Sequence, residues 1–530
     1  MSRSFDVVVV GAGSAGSVVA ARLSEDPSVS VLLLEAGGDD RRPDIERPEL
    51  WQSIQGTDAD WDFRSVHQEG TGRAYAVPRG RVLGGSGAIN CMAHIRGHRL
   101  DFDGWAAQGA AGWSHDEVLP FFKRSERVPG GDPRFRGDSG PLHPANSGSP
   151  NDIAAAFVDG ATSLGHRFAP DFNTGEMMGV GYAESLVHEG RRETTATAYL
   201  RPAMERPNLT VATGALVLDL DVRDGRCRGL RYVAGGEELR VSAGETVLCA
   251  GAIGSPHLLL RSGIGAAAEL EAAGVRAVHE LPGVGRELQD HILLAGIRYR
   301  PEQPLGEVDR DDATLLAAST PGEHGPDLHL SPMAFDYRMP WQRPEPGSVS
   351  LVIGHMRPES RGSVRLASAD PLTDPLIDPG FLREPADLEQ LVAGVELMDA
   401  VMRAGVVPRW GGEPDTTRLL RLDRADLERE LRDAASSYFH LAGSCRMGAD
   451  AQSVVDPELR VHGIDGLRVA DASIMPTAVT VNTNAATVMI GERAASFVAG
   501  ERRDPAASRH PAAAERIAGS TSTPERKPEP

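Results

Sequence analysis

The chain has 530 residues, 41% of them hydrophobic and 25% charged, with a formal charge of -20. At roughly 100–200 residues per domain, this suits two or three domains around a substantial core. The acidic balance argues against a general nucleic-acid or anionic-membrane surface, because such partners are held chiefly by neutralising their phosphates.

Phe5–Val10 is an apolar, β-branched run, as expected of a strand buried on both faces. Gly11-x-Gly13-x-x-Gly16 follows it. Ser17–Leu23 reads as a helix, and Val31–Leu34 as a second buried strand ending at Glu35. Together they predict one βαβ unit. Residues 36–80 are irregular and rich in Gly, Pro and charge. Ser114-x-x-Glu117 ahead of VLPFF predicts a capping box opening a short helix. Residues 129–150 read as a surface loop. Strands are expected at Leu209–Val211, Leu216–Val222 and Thr246–Cys249. The stretch 301–348 is rich in Pro, Gly and Asp and carries Phe335, Asp336, Tyr337 and Trp341; it is the candidate substrate-facing part. Leu388–Val401 and Ala485–Val498 predict helices. Residues 501–530 lack apolar periodicity and read as a disordered tail.

The four cysteines, Cys91, Cys227, Cys249 and Cys445, form no CxxC pair, so neither a metal site nor a disulfide framework is expected. MSRSFDVVVV enters a strand without the apolar region of a secretory signal, and no uncharged run reaches the roughly 18 residues of a membrane span. The expectation is a reduced cytoplasmic protein, with peripheral membrane association left open.

The glycine motif has a physical reading. Gly11 permits a tight turn, Gly13 lets backbone NH groups approach a pyrophosphate, and Gly16 allows close helix–strand packing. The helix N-terminus adds unpaired NH groups and a partial positive charge. Glu35, at the end of the second strand, is placed to hold ribose hydroxyls. This much does not choose between NAD and FAD.

Later motifs decide. RGRVLGGSGAINCMAHIRG at 79–97 and GAIGSPHLLLRSGIG at 251–265, with LQDH at 288–291, resemble the glucose–methanol–choline oxidoreductase family. So do RPESRGSVRLASADP at 357–371, YFHLAGSCRMG at 438–448 and LRVADASIMPTAVTVNTNAATVMIGERAA at 467–495. The resemblance covers nearly the whole chain except the tail. It implies an α/β fold: a Rossmann-like FAD-binding domain assembled from several segments, and an α+β substrate domain on an antiparallel sheet. The implied partition is 1–296 mainly FAD-binding, 297–434 mainly substrate-binding, and 435–500 returning to the FAD domain. FAD contacts are implied for Gly11, Gly13, Ser14, Ala15, Gly16, Glu35, Ala36, Arg81, Gly84, Gly85 and Asn90, then for Val217, Ala250, Gly251, Asp471, Ala472, Asn482 and Thr483. Some family members tether FAD to a histidine where this chain has Ile89. Isoleucine forms no such bond, so non-covalent FAD is expected. His94 departs from the family's aromatic or alanine; a hydrogen-bonded structural histidine is the favoured reading, with a channel-facing role as the alternative.

Alcohol oxidation by a flavin needs a base for the hydroxyl proton while the α-hydrogen leaves as hydride, and a neutral imidazole suits the first task. The resemblance makes His440 the general base and Asn484 its partner toward the substrate oxygen. Each has a plainer alternative: a satisfied core histidine, or an ordinary helix N-cap. Cys91 and Cys445 read as small packing residues, and Asp290-His291 as structural. The implied activity is oxidation of a primary alcohol, choline being one possibility, with electrons passing to oxygen, a quinone or another carrier. The competing readings are a flavin-containing lyase and a non-catalytic nucleotide binder.

Overall fold

The computed structural model describes residues 3–146, 150–305, 313–320, 322 and 325–503. Strand β1 (Arg3–Val10), helix α1 (Gly16–Leu23) and strand β2 (Val31–Leu34) form the expected βαβ unit. Val7, Val8, Val9, Val31 and Leu33 are fully buried, because both faces of these strands are covered.

The first sheet has seven strands. β1 lies parallel between β2 and Glu237–Leu248. Leu209–Ala212 adds parallel to β2, and Leu467–Val469 adds parallel to Glu237–Leu248. Arg226–Ala234 and Ala215–Arg223 extend the sheet in antiparallel fashion. The expected strand Thr246–Cys249 is the last quarter of a longer one, Glu237–Leu248, with Cys249 just past its end. The polar first part of Glu237–Leu248 is largely exposed, so it lacks a buried strand's apolar signal. Helix α1 packs on the last helix, Asn484–Arg503, within the same core.

Among the described residues the second sheet has eight strands, all antiparallel. Val349–His355 is central, pairing with Ile292–Leu294, Arg298–Arg300 and Leu328–Met333. Ala313–Ala317 and Gly179–Tyr182 continue the sheet past Leu328–Met333, and Ala435–Ser437 pairs with Ile292–Leu294. Helices Asp152–Ser163 and Pro385–Val401 bury Phe157, Leu391, Val395 and Met398 against Leu330 and Ile353. The mixed first sheet and antiparallel second one match the expected fold class. The 301–348 stretch, read as the candidate substrate-facing part, supplies two of these strands.

The capping box is present: the Ser114 amide donates to Glu117 Oε2 at 3.1 Å and opens His115–Ser125. The first three residues of the expected tail are helical. The final helix runs to Arg503, with Arg502 on Asp6 at 2.8 Å, and 504–530 lie outside the described residues. Among the described residues no helix is long and apolar enough to cross a membrane.

Candidate active site

A cavity of about 540 Å³ opens at the ends of β1 and β2 and extends to Leu293, Met333 and Val352 of the second sheet. At its first end, Gly11, Gly13, Ser14 and Ala15 form the wall. No side chain caps the N-terminus of α1, so its amides and partial positive charge are available to an anion. Gly11 has φ +96°, and an added Cβ would stand 2.6 Å from the Cys249 carbonyl. Glu35 Oε2 accepts from the Ala12 amide at 2.9 Å, and Oε1 from the Gly37 amide at 2.8 Å. Burial pushes its carboxyl up to about 7 against those amides and Arg81.

The second glycine cluster is wedged onto the first. The Gly84 amide donates to the Ala12 carbonyl at 2.8 Å. Gly85 has φ +55°, and an added Cβ would sit 2.6 Å from the Gly13 Cα. Glycine is needed there for a backbone-on-backbone approach. Glu35, Ala36, Arg81, Gly85, Ile89 and Asn90 line the cavity, as do Val217, Ala250, Gly251, Asp471 and Ala472. Gly16 and Gly84 do not reach it. A Cβ on Gly16 would strike the Gly11 carbonyl at 1.8 Å, so its part is packing behind the loop. Asp471 turns its carboxylate inward, accepting from the Gly251 amide at 2.9 Å and the Ser473 amide at 2.8 Å.

His440 owes its position to a β-irregularity. Ser437 pairs with Ile292, whereas Ala442 pairs with Gln289. Five chain steps therefore face three, and the surplus around Phe439 re-aims the strand. Phe439 has φ +64°, a strained conformation for a bulky residue. Three bonds hold this turn: the Phe439 amide to Ser437 Oγ at 2.8 Å, Arg79 Nη2 to the Phe439 carbonyl at 2.9 Å, and the His440 amide to Asp290 Oδ1 at 2.8 Å.

The His440 ring is buried at the cavity wall. Its Nδ1 lies 2.9 Å from His291 Nδ1, and its Nε2 lies 3.0 Å from Asn482 Nδ2. With the Asn482 amide donating, Nε2 carries a lone pair, Nδ1 carries the proton, and His291 Nδ1 accepts it. Burial, then His291, His329 and Arg79, hold the His440 imidazole well below its ordinary value, so it is neutral. Burial pushes Asp290 up to about 6 despite its donors.

The expected pairing changes here. Asn482, not Asn484, meets the His440 ring. Asn484 accepts from Ser14 Oγ at 2.6 Å and begins the last helix, tying it to the first glycine loop. Asn482, Thr483 and Asn484 all line the cavity. His291, read as structural, touches His440, and Cys91, read as packing, is an exposed cavity residue. His94 stays clear of the cavity, 3.7 Å from Glu126 in a buried cluster with Arg96 and Arg136. Trp51, Met333, Val352 and Tyr438 complete the wall; they come from separate elements, and no spacing announced them.

An FAD fits these residues. Uncapped amides and a glycine loop suit its pyrophosphate, and a Cβ on Gly251 would meet nothing within 4 Å. Toward the His440 end, the Asn482 Oδ1 is buried without a hydrogen-bond partner.

Comparison with known proteins agrees. Residues 5–293 and 358–491 match the N- and C-terminal models of the family described as GMC oxidoreductase. An oxygen-dependent choline dehydrogenase from Rhizobium etli is 35% identical, over 94% of this chain and 96% of its own length. One from Brucella canis is 36% identical, over 93% and 95%. The crystal structure of pyridoxine 4-oxidase from Mesorbium loti superposes with a TM-score of 0.88 and 36% identity, covering 93% of this chain and 98% of its own. The chain belongs to the GMC oxidoreductase family and is an FAD-dependent oxidoreductase.

Proposed function

We propose that this enzyme oxidises a primary alcohol to the aldehyde, with His440 as general base and Asn482 as its partner. The observation that carries this is the neutral His440 ring at the cavity wall, its Nε2 lone pair beside the Asn482 amide. A hydroxyl that displaces the 3.0 Å bond between them donates to the freed Nε2 lone pair and accepts from Nδ2. The base takes the hydroxyl proton, and the amide holds the oxygen as charge builds on it. When bound, FAD supplies the two-electron acceptor that takes the α-hydrogen as hydride at N5. The first sheet and its glycine loops hold that cofactor, and the second sheet supplies the substrate wall. The hydrocarbon side chain of Ile89, at the cavity wall, makes the binding non-covalent. Electrons then pass to oxygen, or to a quinone or other carrier.

The test is anaerobic. Adding a panel of primary alcohols to the FAD-loaded protein should bleach the visible flavin band, and admitting air then examines oxygen as acceptor. His440→Ala should slow bleaching by roughly 10²–10⁴-fold with FAD still bound. Near-wild-type bleaching would remove His440 from the role. Product formation without bleaching would turn the reading toward a lyase.

A further inference from the structure

Placing the base at His440 fixes which end of the cavity receives the alcohol, and the substrate class inferred for that end rests on this reading. The wall there is Trp51, Leu293, Met333, Tyr337, Val352 and Phe439, part of one apolar cluster.

The carboxylates that line the cavity lie elsewhere. Glu35 is bound by amides at the end of β2. Asp471 is occupied by Ser255 and the Gly251 amide. Asp374 closely follows Pro371, whose carbonyl accepts from Arg261; the same guanidinium binds the Val217 carbonyl, so Asp374 belongs to the Val217 side. Asp290 stands behind His440, its oxygens turned to Ser437 Oγ and the His440 amide. Among the described residues, the charged side chain beside His440 in the wall is Arg79, a cation.

Apart from Phe439, the aromatic rings of the wall are engaged by neighbouring groups, and one ring is not a cage. Tyr438 stacks with His440 at 4.6 Å and with His329 at 5.8 Å. Trp51 and Tyr337 stack on each other at 6.1 Å and 26°. Trp61 stacks on Phe63 at 5.5 Å and lies under Arg81 at 4.9 Å. The candidates from the 301–348 stretch are engaged as well: Arg298 binds Asp336 at 2.9 Å, and Trp341 lies under Arg73 at 4.8 Å. A quaternary ammonium group donates no hydrogen bond. It needs a carboxylate or free π faces to offset its lost hydration, and among the described residues the wall beside His440 supplies no carboxylate.

We infer that the substrate is a neutral alcohol with an apolar or aromatic body, and that quaternary-ammonium alcohols such as choline are poor substrates. This separates the chain from its relatives named for choline. The decisive comparison is choline against 3,3-dimethylbutan-1-ol, which replaces the charged nitrogen with carbon and keeps the shape, with benzyl alcohol as the aromatic case. Each is mixed anaerobically with the FAD-loaded protein, and flavin bleaching is followed by stopped flow. The second-order rate constant for the neutral isostere should exceed that for choline by at least about tenfold. Choline equal to the isostere, or faster, overturns the inference while leaving alcohol oxidation intact. Bleaching by none of the three, nor by any alcohol of the wider panel, overturns the proposed function and this inference with it.

Discussion

Nδ1 of His291 lies 2.9 Å from Nδ1 of His440, and the two rings meet at 83°. The strand pair Ile292–Leu294 and Ala435–Ser437 runs directly into this contact. His291 is fully buried and held neutral, near 3, by burial and the neighbouring histidines. It accepts the His440 Nδ1 proton and so keeps the Nε2 lone pair toward the cavity. On the proposed assignment it acts through His440, as a positioning residue.

His291→Phe should lower kcat by about 10–100-fold, with little change in KM and with FAD retained. His291→Asn, which can still accept, should recover part of the loss. Because it touches Nδ1 of His440, removal of His291 should also shift the acid limb of the kcat/KM profile. An unchanged profile would leave His291 a packing residue.

The two asparagines of the last turn should separate. Asn482→Ala should slow anaerobic flavin reduction by roughly 10²-fold, because it removes the donor beside Nε2. Asn484→Ala should act instead on cofactor retention, because its carbonyl oxygen holds Ser14 at 2.6 Å. Titration of apoprotein with FAD, alongside stopped-flow reduction, reads both effects. The reverse pattern would return the catalytic part to Asn484.

Gly85→Ala should weaken FAD binding and lower the thermal midpoint. Its φ of +55° and the 2.6 Å approach to the Gly13 Cα leave no flexible side chain to yield. A loss of about 1–3 kcal/mol is expected.

His329 provides a pH test. Burial depresses its imidazole to about 4, whereas an unfolded histidine titrates near ~6.5. Between those values the unfolded chain binds more protons, so stability falls as pH falls. At pH 5 the penalty is about 2 kcal/mol relative to pH 7. His329→Gln should therefore show a smaller drop in thermal midpoint between pH 7 and 5. Asp290 and Glu35 are raised and act in the opposite sense, but they are present in both proteins and cancel.

The cofactor end was legible because its signals are local. A greasy strand, three spaced glycines and a strand-terminal acid sit within residues 5–35, and the structure keeps them together. The His440 end was half legible. The motif around it was readable, but choosing between Asn482 and Asn484 requires the direction in which a helix is entered, and spacing does not hold that. Trp51, Met333, Val352 and Tyr438 meet only through tertiary folding. His291 was passed over because a buried histidine in LQDH looks the same whether it packs or accepts a proton. The strand Arg226–Ala234 was not anticipated, since its alternate arginines face solvent and dilute the apolar signal.

The last helix lies on the first. A Cβ on Gly491 would strike the Ala15 carbonyl at 2.8 Å, and the buried Glu492 receives Arg22 at 2.8 Å. On a ribosome, the glycine loop emerges some 470 residues before Asn484, the side chain that fastens it. At typical synthesis rates that delay is on the order of a minute. During it the apolar back of α1 is uncovered and the site cannot close. The wall of the cofactor cavity that Asn482, Thr483 and Asn484 supply is thus the last part of it to be synthesised.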